Sequence, residues 1–248
     1  MPSSLPPLPP HPPAPLLLRT GNRVPSGAPA PGVGAMAAQL AATGVHTLDD
    51  LRRFLDSRLH TTGLVAAAVA AAAAGDTIAL GDLDVVASSR LPSPAARQAS
   101  RRLGRQLLRV AATAWPSPVY RRLSRLPHHA VALGLVARVA GLQPLDAAVA
   151  AAYGAVRDPA GAAVQLPGFD ALAVHAVLTG LAPRIDQVAA AAAAAAEQGR
   201  IPVPSASLVE LAADDRAAPK VRPHVAAPPV SPAPRNRSDA RQHLGTVS

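Results

Sequence analysis

The sequence contains no cysteine and very few aromatic residues. Among its 248 residues there are two phenylalanines, two tyrosines and one tryptophan. The absence of cysteine excludes disulfide frameworks, Cys-ligated zinc, iron–sulfur clusters and thiol nucleophiles. Because aromatic residues are scarce, the core must be built from Ala, Leu and Val, which favours helices that approach one another closely.

Glutamate and lysine are also nearly absent. Glu197 and Glu210 are the two glutamates, Lys220 is the sole lysine, and the formal net charge is +9. The aspartates stand mainly at predicted helix starts, where capping explains them, so no carboxylate pair indicates acid–base catalysis. The arginine excess is a weak indication of nucleic-acid binding, because residues that would stack on bases are missing.

The common catalytic and metal-binding motifs are missing from the sequence. There is no GxxxxGK[ST] loop, and the Gly32 to Gly34 segment lacks the third glycine and the preceding strand of a dinucleotide site. Ser26-Gly27 is not part of a GxSxG elbow. His128 and His129 are adjacent and point in different directions on a helix, so they form a poor chelate. We predict no catalytic residue, no metal ligand and no tightly bound cofactor.

Two apolar runs are candidates for membrane segments, and both are too short. Leu64 to Ala74 and Val188 to Ala196 fall well below the roughly 18 apolar residues of a spanning helix. They predict buried helices instead. Met1 to Pro15 lacks the basic and apolar regions of a signal peptide, so we expect a cytoplasmic protein.

Capping signals and apolar spacing predict an all-α fold. Thr47 and Ser93-Pro94 mark two helix starts, and Asp170 marks a third. Gly63 is expected to separate the first two helices, and Asp158-Pro159 to end a later one. The predicted helices cover 48–59, 64–74, 94 to Pro116, 131–140, 145–156, 170–178, 183–198 and 208–213.

Composition divides the chain into one domain and two tails. Residues 1–15 are rich in proline with PxxP-like spacing, which favours an extended, unpacked leader. Residues 223–248 lack apolar periodicity and are expected to form a disordered tail. A single compact multi-helix domain over residues 16–222 is therefore predicted.

The helix that begins at Pro94 carries a basic stripe. Arg97, Arg101 and Arg105 are spaced four residues apart, with Arg102 and Arg109 beside them. Either these side chains form a solvated face or they contact a partner. One functional hypothesis is therefore a basic helical module that binds nucleic acid or an acidic partner with strong salt dependence.

Several segments, in their order along the chain, carry a family resemblance over roughly Leu16 to Arg222. They are Leu16 to Leu18, Pro25 to Gly27, Leu51 to Leu64, Ser93-Pro94, Ser100 to Leu108, His128 to Gly134, Ala162 to Gly168 and Ser205 to Arg222. Together they resemble the UreF family of urease accessory proteins in its actinobacterial form.

The resemblance implies an all-helical, commonly homodimeric protein that is not itself an enzyme. It implies binding to UreD (also called UreH), recruitment of the GTPase UreG to apo-urease, and a role in Ni2+ delivery during active-site assembly. The sequence departs from the family pattern at Pro31 to Met36, at Gln165 and at Arg216 to His224, so we expect either altered partner affinity or a diverged copy of the family. The resemblance and the basic stripe together identify eight candidate partner-binding residues. These are Pro25, Ser26, Gly27, Gly34, Arg101, Arg105, Glu210 and Arg222.

Overall fold

The computed structural model describes residues 33–91, 93–123 and 126–203, and the regular structure in these ranges is entirely helical. The prediction of an all-α fold is therefore confirmed. The α-helices of these ranges are α1 (Val33–Ala42), α2 (Leu48–Arg58), α3 (Leu64–Gly75), α4 (Leu80–Ser89), α5 (Pro94–Ala114), α6 (His129–Val139), α7 (Pro144–Ala163), α8 (Ala171–Gly180) and α9 (Ala182–Glu197), with a π-helical segment at Leu59–Gly63 and a 3-10 helix at Pro118–Arg122.

Helix α3 forms the centre of the core. It packs against α6, α7 and α9, and every residue from Ala67 to Ala74 is buried. Gly134 of α6 faces it so closely that an added Cβ would lie 2.7 Å from Cβ of Ala73 and would overlap the carbonyl oxygen of Ala70. Small side chains therefore set the distance between α3 and α6, as the composition predicts.

The entry into α3 differs from the prediction at Gly63. Helix α2 begins after Thr47 as expected, and a capping box that the sequence analysis did not predict holds this end, with Asp50 N–H donating to Oγ1 of Thr47 at 3.1 Å. Gly63, however, does not interrupt the helix, because the Leu59–Gly63 segment widens to π-helical geometry and leads directly into α3. Such a segment accommodates one extra residue without ending the helix.

The prediction that Asp158-Pro159 ends a helix is wrong. Helix α7 continues through Pro159 to Ala163. A proline within a helix has no N–H for the carbonyl four residues earlier, which here is Ala155. Arg58 compensates, since its Nε donates to the Ala155 oxygen at 3.1 Å. A contact from a residue 97 positions away thus replaces the missing helical hydrogen bond.

Two helices have no counterpart in the sequence prediction. Helix α4 begins after Ala79, whose methyl side chain cannot accept a capping hydrogen bond. In α1 the buried residues are Ala37 and Leu40, too few to establish a helical period. Both helices depend on packing against the core for their stability, which local signals do not report.

Some predictions lie partly or wholly outside the described residues. These are the helix at 208–213, the leader at 1–15 and the tail at 223–248, so the 16–222 domain boundaries stay predictions. Leu64 to Ala74 lies in the core as expected, whereas Val188 to Ala196 buries one face of α9. Across the described ranges, no helix has the length and hydropathy required to cross a bilayer.

Candidate functional site

Helix α5 carries the basic stripe and lies directly against the start of α6. Ser93 caps it as predicted, with Ala96 N–H donating to its Oγ at 3.0 Å. Its buried residues are Gly104, Leu107 and Ala111. A Cβ at Gly104 would overlap the Pro127 carbonyl oxygen and lie 3.2 Å from the His129 nitrogen. This close approach fixes which side of α5 faces inward.

A polar cluster joins α5 to α4 and α6. We call Asp84, Ser100, Arg101 and His128 the Asp84 cluster. Asp84 accepts a hydrogen bond of 2.7 Å from the His128 backbone N–H and one of 2.9 Å from Nη1 of Arg101. Arg101 also donates to the Leu126 carbonyl oxygen. Ser100 Oγ accepts from the His129 N–H at 3.1 Å and lies 3.1 Å from Nδ1 of His128.

Both Arg101 of the cluster and the nearby Arg97 have structural roles. The Arg101 side chain is 31% exposed, compared with 17% for Asp84, so water only partly screens their ion pair. Arg97 donates to the Leu91 carbonyl oxygen at 2.8 Å, which holds the chain leading into α5. Partner binding by Arg101 stays a prediction, and within the fold this residue connects α5 to α4.

The remaining arginines of α5 point into solvent. We call Arg102, Arg105 and Arg109 the exposed arginine stripe; all three are exposed. Their guanidinium groups form no ion pair or hydrogen bond with any residue in the described parts of the chain. Helix α5 contains no Asp or Glu. Arg105, predicted to bind a partner, therefore has an accessible charge.

His128 and His129 occupy environments that oppose protonation. Burial lowers the pKa of His128, nearby Arg101 lowers it further, and Asp84 partly opposes this. Burial likewise lowers the pKa of His129, and Asp158 opposes that shift. His128 is 1% exposed, and its Nε2 meets no hydrogen-bonding group among the described residues.

Ser100 and His128 are in contact, but their arrangement differs from that of a catalytic triad. In a triad the acid orients the histidine ring through Nδ1. Here Nδ1 of His128 faces Ser100, and Asp84 binds the backbone N–H instead. Ser100 Oγ is itself engaged by the His129 N–H. The geometry is that of a helix N-terminus held by polar side chains.

The lowered pKa values of His128 and His129 predict that the stability of the protein depends on pH. Because their pKa values are lowered, the unfolded chain binds more protons than the folded chain below the ordinary histidine pKa. The free energy of unfolding should be highest above about pH 7 and fall below about pH 6.5, by at most ~1.4 kcal/mol per pH unit for each histidine.

Urea unfolding at about pH 7.5, about pH 6.5 and about pH 5.5 measures this dependence. His128→Asn and His129→Asn should each flatten it. His175→Asn is the matched control, since His175 is exposed on α8. An unchanged slope in the His128→Asn, His129→Asn double variant would contradict the assignment.

A second exposed feature lies between α2, α8 and α9. It is an apolar groove of about 510 Å³, next to Leu172, whose exposed fraction is 80%. Arg184 on its rim pairs with Asp56. Of the α8 residues, Val174 is the buried one. The groove is lined by Leu48, Arg52, Ala173, Ala176, Val177, Gly180, Leu181 and Arg184.

The other predicted partner-binding residues are not assembled into a site by the described structure. Gly34 lies in the first turn of α1, where an added Cβ would meet nothing within 4 Å. No group of three His, Asp or Glu side chains in the described ranges converges as metal ligands would. Outside the described residues lie Pro25, Ser26, Gly27, Glu210 and Arg222.

Comparison with known proteins assigns the family. The sequence model of the UreF family matches residues 45–182, more than half of the chain. The chain belongs to the UreF family. The match extends from Val45 to the first residue of α9, so this UreF region contains both the Asp84 cluster and the exposed arginine stripe.

Individual UreF relatives cover even more of the chain. A urease accessory protein UreF of Mycobacterium sp. (strain JLS) is 40% identical over 178 residues, which are 72% of this chain and 84% of the relative. That of Mycolicibacterium vanbaalenii is 38% identical over 183 residues, 73% of this chain and 85% of the relative. That of Mycobacterium tuberculosis (strain H37Rv) is 36% identical over 179 residues, 72% and 84% of the two chains.

Proposed function

We propose that this UreF-family protein is an accessory factor in the maturation of urease. In this proposal it binds UreD (also called UreH) and recruits the GTPase UreG to apo-urease, so that nickel is inserted. The observation that carries the proposal is the 40% identity to a urease accessory protein over 72% of the chain.

The described surface supports a binding role. Two of its exposed features, the arginine stripe on α5 and the apolar groove beside α8, are of the kinds that mediate protein contacts. The proposal assigns GTP hydrolysis to UreG and treats nickel as cargo, with no cofactor held tightly by this chain. It includes a cytoplasmic location and a homodimer.

Co-expression with UreD and UreG from the same genome tests the proposal. Size-exclusion chromatography with mass determination should give one complex that contains this chain, UreD and UreG. The control is co-expression of UreD and UreG without this chain, which should lose UreG from the complex. Three well-folded proteins that elute separately would contradict the proposed partners.

A urease assay in cells tests the step that follows binding. Deletion of the gene for this protein should lower urease activity and the nickel content of purified urease together, because apo-urease accumulates. Supplying the gene again should restore both. Full nickel occupancy in the deletion strain would contradict the role in maturation.

A further inference from the structure

The structure divides the basic residues of α5 into two groups with different environments. Within the fold, Arg97 donates to a backbone carbonyl oxygen and Arg101 pairs with Asp84. The exposed arginine stripe faces solvent without a counter-charge from the described residues. We propose that this stripe docks onto an acidic face of a protein partner. The inference rests on the proposed function, because the partner belongs to the urease-maturation complex.

The spacing of the stripe suits a single contact surface. Steps of three and four residues keep Arg102, Arg105 and Arg109 within about 60° of one another around the helix and within about 10 Å along it. An opposing surface can therefore contact all three guanidinium groups at once. Arginine binds carboxylate pairs in a planar, two-point geometry, which favours Asp and Glu as the opposing groups.

The position of three unpaired arginines on one helix distinguishes the stripe from the rest of the described surface. Elsewhere, five exposed arginines stand within ion-pair distance of an aspartate of the same chain, and the exposed arginines without such a described partner, Arg90, Arg121 and Arg200, lie on separate segments. These pairs are Arg52–Asp49, Arg53–Asp50, Arg122–Asp76, Arg138–Asp76 and Arg184–Asp56. The described part of the chain therefore offers the stripe on α5 no complementary charge.

The surroundings of the stripe favour a protein over a nucleic acid. Leu103 is half-buried and Val110 is 38% exposed, and both lie on the flank about 80–100° from Arg102. Arginine is enriched at protein interfaces, whose buried centres are more apolar than the rest of the surface. Helix α5 has no aromatic residue that could stack on a base.

The stripe is held in a fixed orientation before a partner arrives. The contact of Gly104 with the Pro127 backbone and the Asp84–Arg101 ion pair, 2.9 Å long, set the rotation of α5. A surface already ordered in the free protein loses less conformational entropy on binding. The Gly104 contact and the Asp84–Arg101 ion pair thus orient the exposed arginine stripe.

The test compares two variants with the same change in net charge. Arg102→Glu, Arg105→Glu and Arg109→Glu together reverse the stripe. The control combines Arg90→Glu, Arg121→Glu and Arg200→Glu, at positions that are also exposed but lie outside α5. Each full-length protein is titrated with purified UreD, UreG and apo-urease at about 50 mM and about 300 mM salt.

Reversal of the stripe should weaken binding to one of these proteins by about 10- to 100-fold at low salt, because like charges then face each other. The control variant should stay within about threefold of the unmodified protein. High salt should weaken binding of the unmodified protein and affect the stripe variant much less. Equal binding by the stripe variant would overturn the inference.

Two further outcomes separate this inference from its alternatives. If the unmodified protein binds none of the three partners, the proposed function fails and the inference fails with it. A 30-base-pair duplex DNA of mixed sequence is the nucleic-acid probe, and we expect binding no tighter than the ~10⁻⁶ M of non-specific contacts. Tighter DNA binding that disappears in the stripe variant would overturn the assignment to a protein partner.

Discussion

Replacing Gly134 with alanine is expected to lower the free energy of unfolding by about 3 kcal/mol. The added Cβ would lie 2.7 Å from Cβ of Ala73 and would overlap the Ala70 carbonyl oxygen. The obstructing atoms belong to the backbone and to an alanine, so no side chain can rotate away. Helices α3 and α6 would have to separate, which also loosens the contacts of α3 with α7 and α9.

Urea unfolding followed by far-UV circular dichroism measures the effect as a shift in midpoint. Gly154→Ala is the matched control, since Gly154 lies inside α7 and an added Cβ there would meet nothing within 4 Å. That variant should gain about 0.5–1 kcal/mol from the helix propensity of alanine. If Gly134→Ala instead behaves like Gly154→Ala, the result contradicts the close packing of α3 against α6.

The core was largely predictable from composition, but its closest contact was not. Long alanine runs and the scarcity of aromatics already predict helices that approach closely, and the run from Leu64 to Ala74 identifies the central one. Gly134 has no local signal of its importance. Its partners Ala70 and Ala73 are distant in the chain, so only the tertiary arrangement shows that a side chain cannot fit.

Helix ends were predictable where the cap is local and failed where it is not. Thr47, Ser93 and Asp170 each accept a backbone hydrogen bond from three residues ahead, as expected from the sequence alone. Pro159 carries the local signal of a helix end. Arg58 overrides that signal by binding the Ala155 carbonyl oxygen, a contact that no window of sequence contains.

In the candidate site, too, local features were predictable from the sequence and contacts between distant residues were not. Helical spacing placed five arginines on α5, but it could not separate the residues that bind within the fold from those that face solvent. Arg101 is held by Asp84, which stands 17 residues earlier in a helix that local signals missed. Arg105 remains exposed because no acidic residue of the described chain reaches it.

Asp84 binds two other residues of the Asp84 cluster at once. One of its oxygens accepts the backbone N–H of His128, and the other pairs with Arg101. If Asp84 is lost, the N–H at the buried start of α6 has no acceptor and Arg101 has no counter-charge. A buried donor left unpaired costs about 1–3 kcal/mol, and a partly screened ion pair adds about 1 kcal/mol.

Asp84→Ala is therefore expected to lower the free energy of unfolding by about 3 kcal/mol. Asp82→Ala is the control on the same helix: Asp82 is exposed in the first turn of α4, and its removal should cost about 0.5 kcal/mol through the helix dipole. Urea unfolding at about pH 7.5 compares the two variants with the unmodified protein.

A double-mutant cycle with Arg101→Met separates the two contributions of Asp84. If the ion pair contributes, the double variant should be about 1 kcal/mol more stable than the sum of the single effects predicts. The remaining loss belongs to the His128 N–H, which Arg101→Met does not touch. Strict additivity would mean that Asp84 acts through α6 alone. The orientation of α5, and with it that of the exposed arginine stripe, would then depend on the Gly104 contact instead of the ion pair.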